Sequence, residues 1–235
     1  ISDIQSRVID ITSLATAETP ISPLIGAIIT VAHSRRASEI HIETNFNYEG
    51  DIDLLERAFD YPGNRNAIEG TWDHYDAMRQ YIDNNDLNDP IHYAYINSII
   101  DIENFTDYWI FEIFAGNFDW LLNNMKFWRP KTSDGIWKWI LWDLDHGFGL
   151  PYIQYGTPGW NTLNWATGIT GERVGSGSNT KIIRGLLTND DYKIYFINRF
   201  ADLLNSFFSS KHTNTLVDQF ADQLKPDIEL QLNRW

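Results

Sequence analysis

Acidic side chains follow directly on an apolar segment in the stretch ILWDLDHGFGL, residues 140–150. Asp143 and Asp145 are separated by a single residue, and a His and a Gly-Phe-Gly sequence come after them. An apolar strand that ends on two neighbouring carboxylates has a high desolvation cost unless a cation lies beside them. The stretch therefore predicts a cation-binding position where a strand ends.

A second polar pair precedes this one in the chain. Asp119 and Asn124 lie before a segment with the pattern of a β-hairpin, and Asp143 and Asp145 lie after it. Because a hairpin brings its two outer ends together, we expect these four side chains to converge. Carboxylate and amide oxygens suit a hard divalent cation, and Mg²⁺ takes one or two carboxylates together with water and phosphate oxygens. The pattern therefore predicts a magnesium site.

The order of these residues is also that of the catalytic groups in protein kinases. There, an aspartate accepts the proton of the attacking hydroxyl, and an asparagine five positions later binds metal. An aspartate after the hairpin bridges the metal to the nucleotide phosphates. The spacing of the Asp and the Asn is a weak signal by itself in an acidic chain. Its combination with the hairpin and the acidic segment that follows indicates phosphoryl transfer.

Helical and alternating patterns indicate the elements that position these residues. The hairpin is predicted from MKFWR (125–129), a TSDG turn (132–135) and IWKWILW (136–142). Upstream, DIDLLERAF (51–59) is predicted as a short strand or a helix, Thr71 as the N-cap of a helix, and Asp101 and Gly116 as the two ends of another helix. Downstream, a long mobile loop over 150–180 is predicted to precede helices over 181–187, 191–208 and 213–235. These elements predict an α+β fold in which helices dominate.

The sequence AGNFDWLLNNMKFWRP, followed by KWILWDLDHGFG, resembles the CotH kinase family, the atypical kinases named for a bacterial spore-coat protein. The family pattern is close to Gly-Asn-x-Asp-x4-Asn before the hairpin and Trp-Asp-x-Asp-x2-Phe-Gly after it. The positions that match it are Gly116, Asn117, Asp119, Asn124, Trp142, Asp143, Asp145, Phe148 and Gly149. The resemblance covers roughly residues 50–235, and the block 116–149 carries nearly all of its specificity.

The resemblance implies the larger lobe of an atypical protein kinase over residues 51–235, with a central β-hairpin that carries the metal site. It implies that Asp119 is the catalytic base and that Asn124 is a ligand of the metal and of the nucleotide. Asp143 would be the main metal ligand and Asp145 a second ligand or a support, although these two roles could be exchanged. The cofactors implied are ATP and Mg²⁺ (or Mn²⁺), and the acceptor is a Ser or Thr hydroxyl of a protein.

Two neighbours of these residues have secondary roles in this interpretation. Asn123 is an alternative source of the amide, and His146 is expected to support the site or lie at the surface rather than bind the metal. The loop over 150–180 is expected to shape the acceptor groove.

Residues 1–50 lack the parts that usually cover the phosphates in a kinase. This segment contains neither a Gly-rich loop nor a lysine, and the first lysine of the chain is Lys126. It is therefore interpreted as a remnant or degenerate N-terminal region: either the small lobe is missing, or it is degenerate, or an arginine takes the place of the usual lysine. Arg184 and Arg173 are the candidates for phosphate contact.

The composition excludes several classes of protein. A net charge of −14 argues against a nucleic-acid binder, which needs a basic face. No apolar stretch approaches the roughly 18 residues of a membrane span. The absence of cysteine excludes disulfides, thiolate metal sites and cysteine nucleophiles. The chain begins mid-pattern, as expected of an excised domain or a processed product, and the family resemblance suggests an exported, cell-surface or spore-coat location.

Three alternatives remain open at this point. The missing lysine and Gly-rich loop favour a catalytically inactive kinase fold that acts as a scaffold or binding module. The 10 Trp, 11 Tyr and 13 Phe residues indicate an aromatic core or a glycan-stacking surface, and with the paired aspartates they suggest a glycan-active protein. A sugar-nucleotide transferase would also use an Asp-x-Asp sequence after a strand, but the chain lacks the strand–helix alternation of that class.

Overall fold

The structure is a computed structural model that describes residues 50–121, 123–144, 146–148, 159–168 and 179–232. The strands are β1 (Ile52–Arg57), β2 (Asn66–Glu69), β3 (Met125–Pro130) and β4 (Lys138–Ile140), and a 3₁₀ turn (Pro62–Asn64) lies between the first two. The helices are α1 (Asp73–Asn84), α2 (Pro90–Ile99), α3 (Ile102–Ala115), α4 (Thr162–Thr167), α5 (Lys181–Leu186), α6 (Asp190–Asn205) and α7 (Ser210–Leu232). The predicted α+β class is confirmed.

The four strands form one antiparallel sheet in the order β2-β1-β3-β4. The segment that was ambiguous between strand and helix is the strand β1, and it pairs along its whole length with β3. Alternate residues of β1, namely Asp53, Leu55 and Arg57, are buried. The predicted hairpin of β3 and β4 is present, as one half of this larger sheet.

The second strand of the hairpin is shorter than the predicted 136–142. β4 spans only Lys138–Ile140, because Trp137 bonds to a different part of the chain. The Trp137 backbone N–H donates to the carbonyl of Ile99 at 2.9 Å, and its carbonyl accepts from the N–H of Asp101 at 2.9 Å. The start of the strand is therefore attached to the junction between α2 and α3 rather than to β3.

The aromatic residues build the core between the sheet and the helices. Tyr75 of α1 stacks on Phe127 of β3 with ring centroids 4.4 Å apart, and Phe105 of α3 meets Trp139 of β4 edge-on at 4.6 Å. Each large apolar side chain buried in this way contributes about 1.5–3 kcal/mol to folding. Most of α3 is buried, which explains why its sequence is apolar on nearly every side.

The ends of α3 are as predicted. The Asp101 side chain accepts the N–H of Asn104 at 3.0 Å, and Gly116 ends the helix in the left-handed region with φ 62°. The prediction for the start of α1 was wrong by one residue, since the helix begins at Asp73 with Trp72, rather than Thr71, in the N-cap position. The Thr71 hydroxyl still accepts the Asp73 N–H, at a long 3.4 Å.

The long loop predicted over 150–180 contains a short helix. In α4, Trp165 and Ala166 are buried, and the Trp165 ring lies 5.7 Å from that of Trp120. Residues 150–158 and 169–178 of the predicted loop lie outside the described residues. The next two helices differ modestly from prediction: α6 begins and ends slightly earlier than 191–208, and α7 begins at Ser210. Within the described ranges, no helix is both long enough and apolar enough to cross a membrane.

Candidate active site

The loop after α3 is organised by Asn117, whose side chain is completely buried. Its Oδ1 accepts the backbone N–H of Asp119 at 3.2 Å. Its Nδ2 donates to Glu112 Oε2 at 3.0 Å and makes a long contact of 3.5 Å with the backbone carbonyl of Asp143. One amide therefore connects the segment that carries Asp119 to the segment that carries Asp143.

The Asp119 carboxylate lies at the centre of a group of polar side chains. Its Oδ2 accepts from the side-chain amides of Asn123 and Asn124, both at 3.0 Å. His146 Nδ1 lies 3.7 Å from the same oxygen, and the His146 ring stacks on Phe118 at 4.8 Å. The Asp119 side chain is about a quarter exposed (24%), whereas Asn124 is buried. The structure thus brings together Asp119, Asn124, the alternative amide Asn123 and the neighbouring His146.

The backbone around these side chains is strained. Five of the described residues other than glycine have a positive φ, and four of them lie in this region: Leu121 at 69°, Asn124 at 53°, Asp143 at 52° and Phe148 at 55°. The left-handed conformation costs a non-glycine residue about 1–2 kcal/mol. Such residues persist where the surroundings hold them, and they cluster at active sites and ligand clamps.

The strain at Leu121 is held in place by packing and by a hydrogen bond. Its side chain is fully buried, and its carbonyl accepts from the side-chain amide of Asn179. The loop between Asp119 and Asn124 is therefore held from both sides by the folded protein.

Glu112 lies beneath this loop and is completely buried on α3. Burial raises the pKa of Glu112 well above its ordinary value, and the nearby charge of Asp143 raises it further, while hydrogen bonding from Asn117 and Tyr108 opposes the shift. Its Oε1 has no hydrogen-bond partner among the described residues. The raised pKa favours the uncharged form of Glu112, and its Oε2 holds the Asn117 amide in place.

Sequence reasoning missed the roles of Glu112 and Asn117. The signal for the glutamate is its position in WIFEIFAG, where it interrupts an otherwise apolar helix. A charged residue among buried neighbours requires a partner, and the first polar side chain after the helix is Asn117.

The predicted metal set consists of Asn124, Asp143 and Asp145. The Asp143 side chain is exposed, and Asp145 lies outside the described residues. Over the part of the chain that the structure describes, no three acidic or His side chains are grouped closely enough to hold a metal. The donor types fit Mg²⁺, since oxygen ligands dominate and no sulfur is present. The metal set itself stays a prediction.

The two arginines predicted to contact phosphate lie in the second half of the chain. Arg184 is on α5, where its Nε donates to the Thr180 carbonyl at 3.4 Å. The glycine next to it, Gly185, packs closely against Ile82 of α1. Arg173 lies outside the described residues. The contact of either arginine with phosphate stays a prediction.

The fold and the site together define a class. A helix-rich α+β domain presents an Asp and an Asn on one loop, then a hairpin, then a further Asp, which is the arrangement of a kinase-like domain. The sequence profile of the CotH kinase protein family matches residues 42–235, most of the chain, and the protein belongs to this family. Comparisons with curated proteins and with solved structures found no match.

Proposed function

We propose that the protein transfers the γ-phosphoryl group of ATP to a Ser or Thr hydroxyl of a protein, in the presence of Mg²⁺ or Mn²⁺. The observation that supports the proposal is the set of hydrogen bonds made by Asn117 and Asp119. They hold the proposed base beside Asn124 and next to the Asp143 segment, on a strained and anchored loop. Membership of the CotH kinase family supports the same class of reaction.

In the proposed reaction, the acceptor oxygen attacks the γ-phosphorus and forms the new P–O bond. The bond from that phosphorus to the bridging oxygen breaks, and ADP leaves. Asp119 takes the proton of the acceptor hydroxyl. The Asp119 side chain is partly exposed, and its Oδ2 is held by two asparagine amides, which fix the direction from which the carboxylate would meet the acceptor. Positioning of this kind can supply about 7–11 kcal/mol of the barrier.

Asn124, Asp143 and Asp145 would hold the metal, which when bound would neutralise charge on the phosphates. Arg184 is proposed as an additional contact to the phosphates. The raised pKa of Glu112 supports this arrangement, because it favours the uncharged form, and a further buried negative charge would repel the carboxylates that must approach a triphosphate.

The test compares Asp119→Asn and Asp143→Asn with the wild type, using γ-labelled ATP for transfer and calorimetry for nucleotide binding with Mg²⁺. Asp119→Asn should retain binding and lose transfer by at least about 10²-fold. Asp143→Asn should lose both. Asp134→Asn is the matched control, since Asp134 is exposed in the distal turn of the hairpin.

Undiminished transfer in either site variant would overturn the proposed roles. A wild-type protein that neither binds ATP with Mg²⁺ nor transfers phosphate would instead be a kinase-fold binding module.

A further inference from the structure

A buried arginine lies at the end of β1. Arg57 is only 6% exposed, and no carboxylate among the described residues forms an ion pair with it. By contrast Arg129 of β3, which is largely shielded from solvent, is paired, since its Nε lies 2.9 Å from Asp53 Oδ2. Because a buried charge without a carboxylate beside it is costly, the surroundings that the described residues give Arg57 need a different explanation.

The residues around Arg57 increase the positive charge rather than balancing it. Arg57 Cζ lies 5.0 Å from the centre of the Trp72 ring, and Arg65 Cζ lies 4.2 Å from the same ring. Asp76, the acid that interacts electrostatically with Arg57, already forms an ion pair with Arg65 at 2.5 Å. Burial lowers the pKa of Arg57, Tyr75 opposes that shift, the charges of Arg79 and Arg65 lower the pKa further, and Asp76 raises it. These arginines form a local concentration of positive charge in a chain whose net charge is −14.

The position of this cluster places it beside the candidate active site. Arg57 pairs with Met125, the residue that follows Asn124. Two residues further along, the Phe59 N–H donates to Asn123 Oδ1 at 3.0 Å, and the amide of Asn123 donates to Asp119. A group bound at Arg57 would therefore lie next to the loop that carries the proposed base.

We propose that Arg57, Arg65 and Trp72 form a binding site for a phosphate monoester. Guanidinium groups present donors in a planar fork that matches phosphate oxygens, and clusters of arginine are a common means of phosphate recognition. A phosphate monoester has a charge of about −1.5 to −2 and three acceptor oxygens, which suits two guanidinium groups in a cationic field. The Trp72 ring holds the two guanidinium groups near each other through cation–π contacts.

The proposal does not depend on phosphoryl transfer, and its test contains neither ATP nor a divalent metal. The probes are inorganic phosphate and a phosphoserine peptide, and the unphosphorylated peptide is the reference. Binding is measured by calorimetry on the whole chain at constant ionic strength, with chloride as the competing anion. The two probes separate a free phosphate from a phosphorylated protein segment as the natural ligand, since the peptide binds more tightly only in the second case.

The central variant is Arg57→Met, which removes the charge and keeps an unbranched apolar side chain. It should weaken binding of both phosphate probes by about tenfold or more, because charge-assisted hydrogen bonds are lost. Without phosphate it should be at least as stable as the wild type, since replacing an unpaired buried charge removes a desolvation cost. Arg199→Gln is the matched control, because the Arg199 guanidinium is already bound to both oxygens of Asp107 at 2.7 Å.

Arg65→Gln is an independent test of phosphate binding at the same site. It replaces the Arg57 variant as the deciding test if that variant fails to fold. The Arg65 side chain is about a third exposed (34%), and its removal frees Asp76 to neutralise the remaining arginines. It too should weaken phosphate binding. Absence of phosphate binding in the wild type, or equal affinity in the Arg65 variant and the Arg199 control, would overturn the proposal.

Discussion

The buried glutamate under the loop of the candidate active site allows one test of both the packing and the electrostatics of this region. Glu112→Gln has nearly the same shape as the neutral glutamic acid and keeps an oxygen that can accept from Asn117. Glu112→Ala removes that oxygen, so that the buried Asn117 Nδ2 keeps only its 3.5 Å contact with the backbone carbonyl of Asp143. We expect the glutamine variant to match or exceed the wild-type stability at pH 7.

The expected loss in the alanine variant follows from two contributions. A buried donor left without an acceptor costs about 1–3 kcal/mol. The lost side chain also removes at least one buried methylene, which contributes about 0.8 kcal/mol. The alanine variant should therefore be less stable than the wild type by about 2–4 kcal/mol in urea unfolding.

The pH dependence provides a sharper criterion. The pKa of Glu112 is raised in the folded protein, so the folded state binds its proton more tightly than the unfolded state. The contribution of Glu112 to the free energy of unfolding is fully present below about pH 4.5, the ordinary pKa of this group in the unfolded chain. It is lost as the pH rises toward the pKa of the folded state. The advantage of Glu112→Gln over the wild type should therefore grow as the pH increases above about 4.5.

Glu103→Gln is the matched control on the same helix, because Glu103 is exposed in the first turn of α3. It should show no comparable growth with pH. The reasoning would be refuted by a glutamine variant as unstable as the alanine variant. A stability difference between Glu112→Gln and the wild type that stays constant from pH 4 to pH 8 would also refute it.

Two further predictions concern single positions outside the carboxylate group. Gly116→Ala should destabilise the protein by about 1–2 kcal/mol in urea unfolding, because φ is 62° there. The added methyl group has room, since its nearest neighbour would be Thr162 Oγ1 at 3.7 Å. A loss of stability far above this range would therefore show that crowding, rather than backbone strain, causes the destabilisation. Burial lowers the pKa of His74, and the charge of Arg129 lowers it further, so stability should fall as the pH drops below about 6.5. His74→Gln should reduce that acid dependence, and an NMR titration placing the His74 pKa at or above 6.5 would contradict it.

The parts of the fold that sequence reasoning predicted are those with local signals. Asp101 and Gly116 define the ends of α3 by capping chemistry that involves only nearby residues. The hairpin follows from alternating apolar residues around a turn. Its second strand was predicted too long because the bonds of Trp137 to the α2–α3 junction connect residues far apart in sequence. The short strand β2 and the helix α4 have too few residues for a clear period.

The candidate site shows the same division. Asp119 and Asn124 were recognisable from their spacing, and the structure places them in contact. The connection of their loop to Asp143 through Asn117 depends on tertiary proximity, which no spacing rule describes. The raised pKa of Glu112 arises from its complete burial, a property of the packed protein rather than of its sequence.

The attachment of Trp137 to Ile99 and Asp101 has a consequence for how the hairpin can vary. These two hydrogen bonds fix the position of the chain just before β4, and they do so independently of the pairing between β3 and β4. A change in the exposed turn over residues 131–134 is therefore not transmitted to the other end of the β3–β4 hairpin, where Asp143 lies. A longer turn could be accommodated there for a modest cost in loop-closure entropy, about 0.6 kcal/mol for each doubling of length, without displacing the candidate active site.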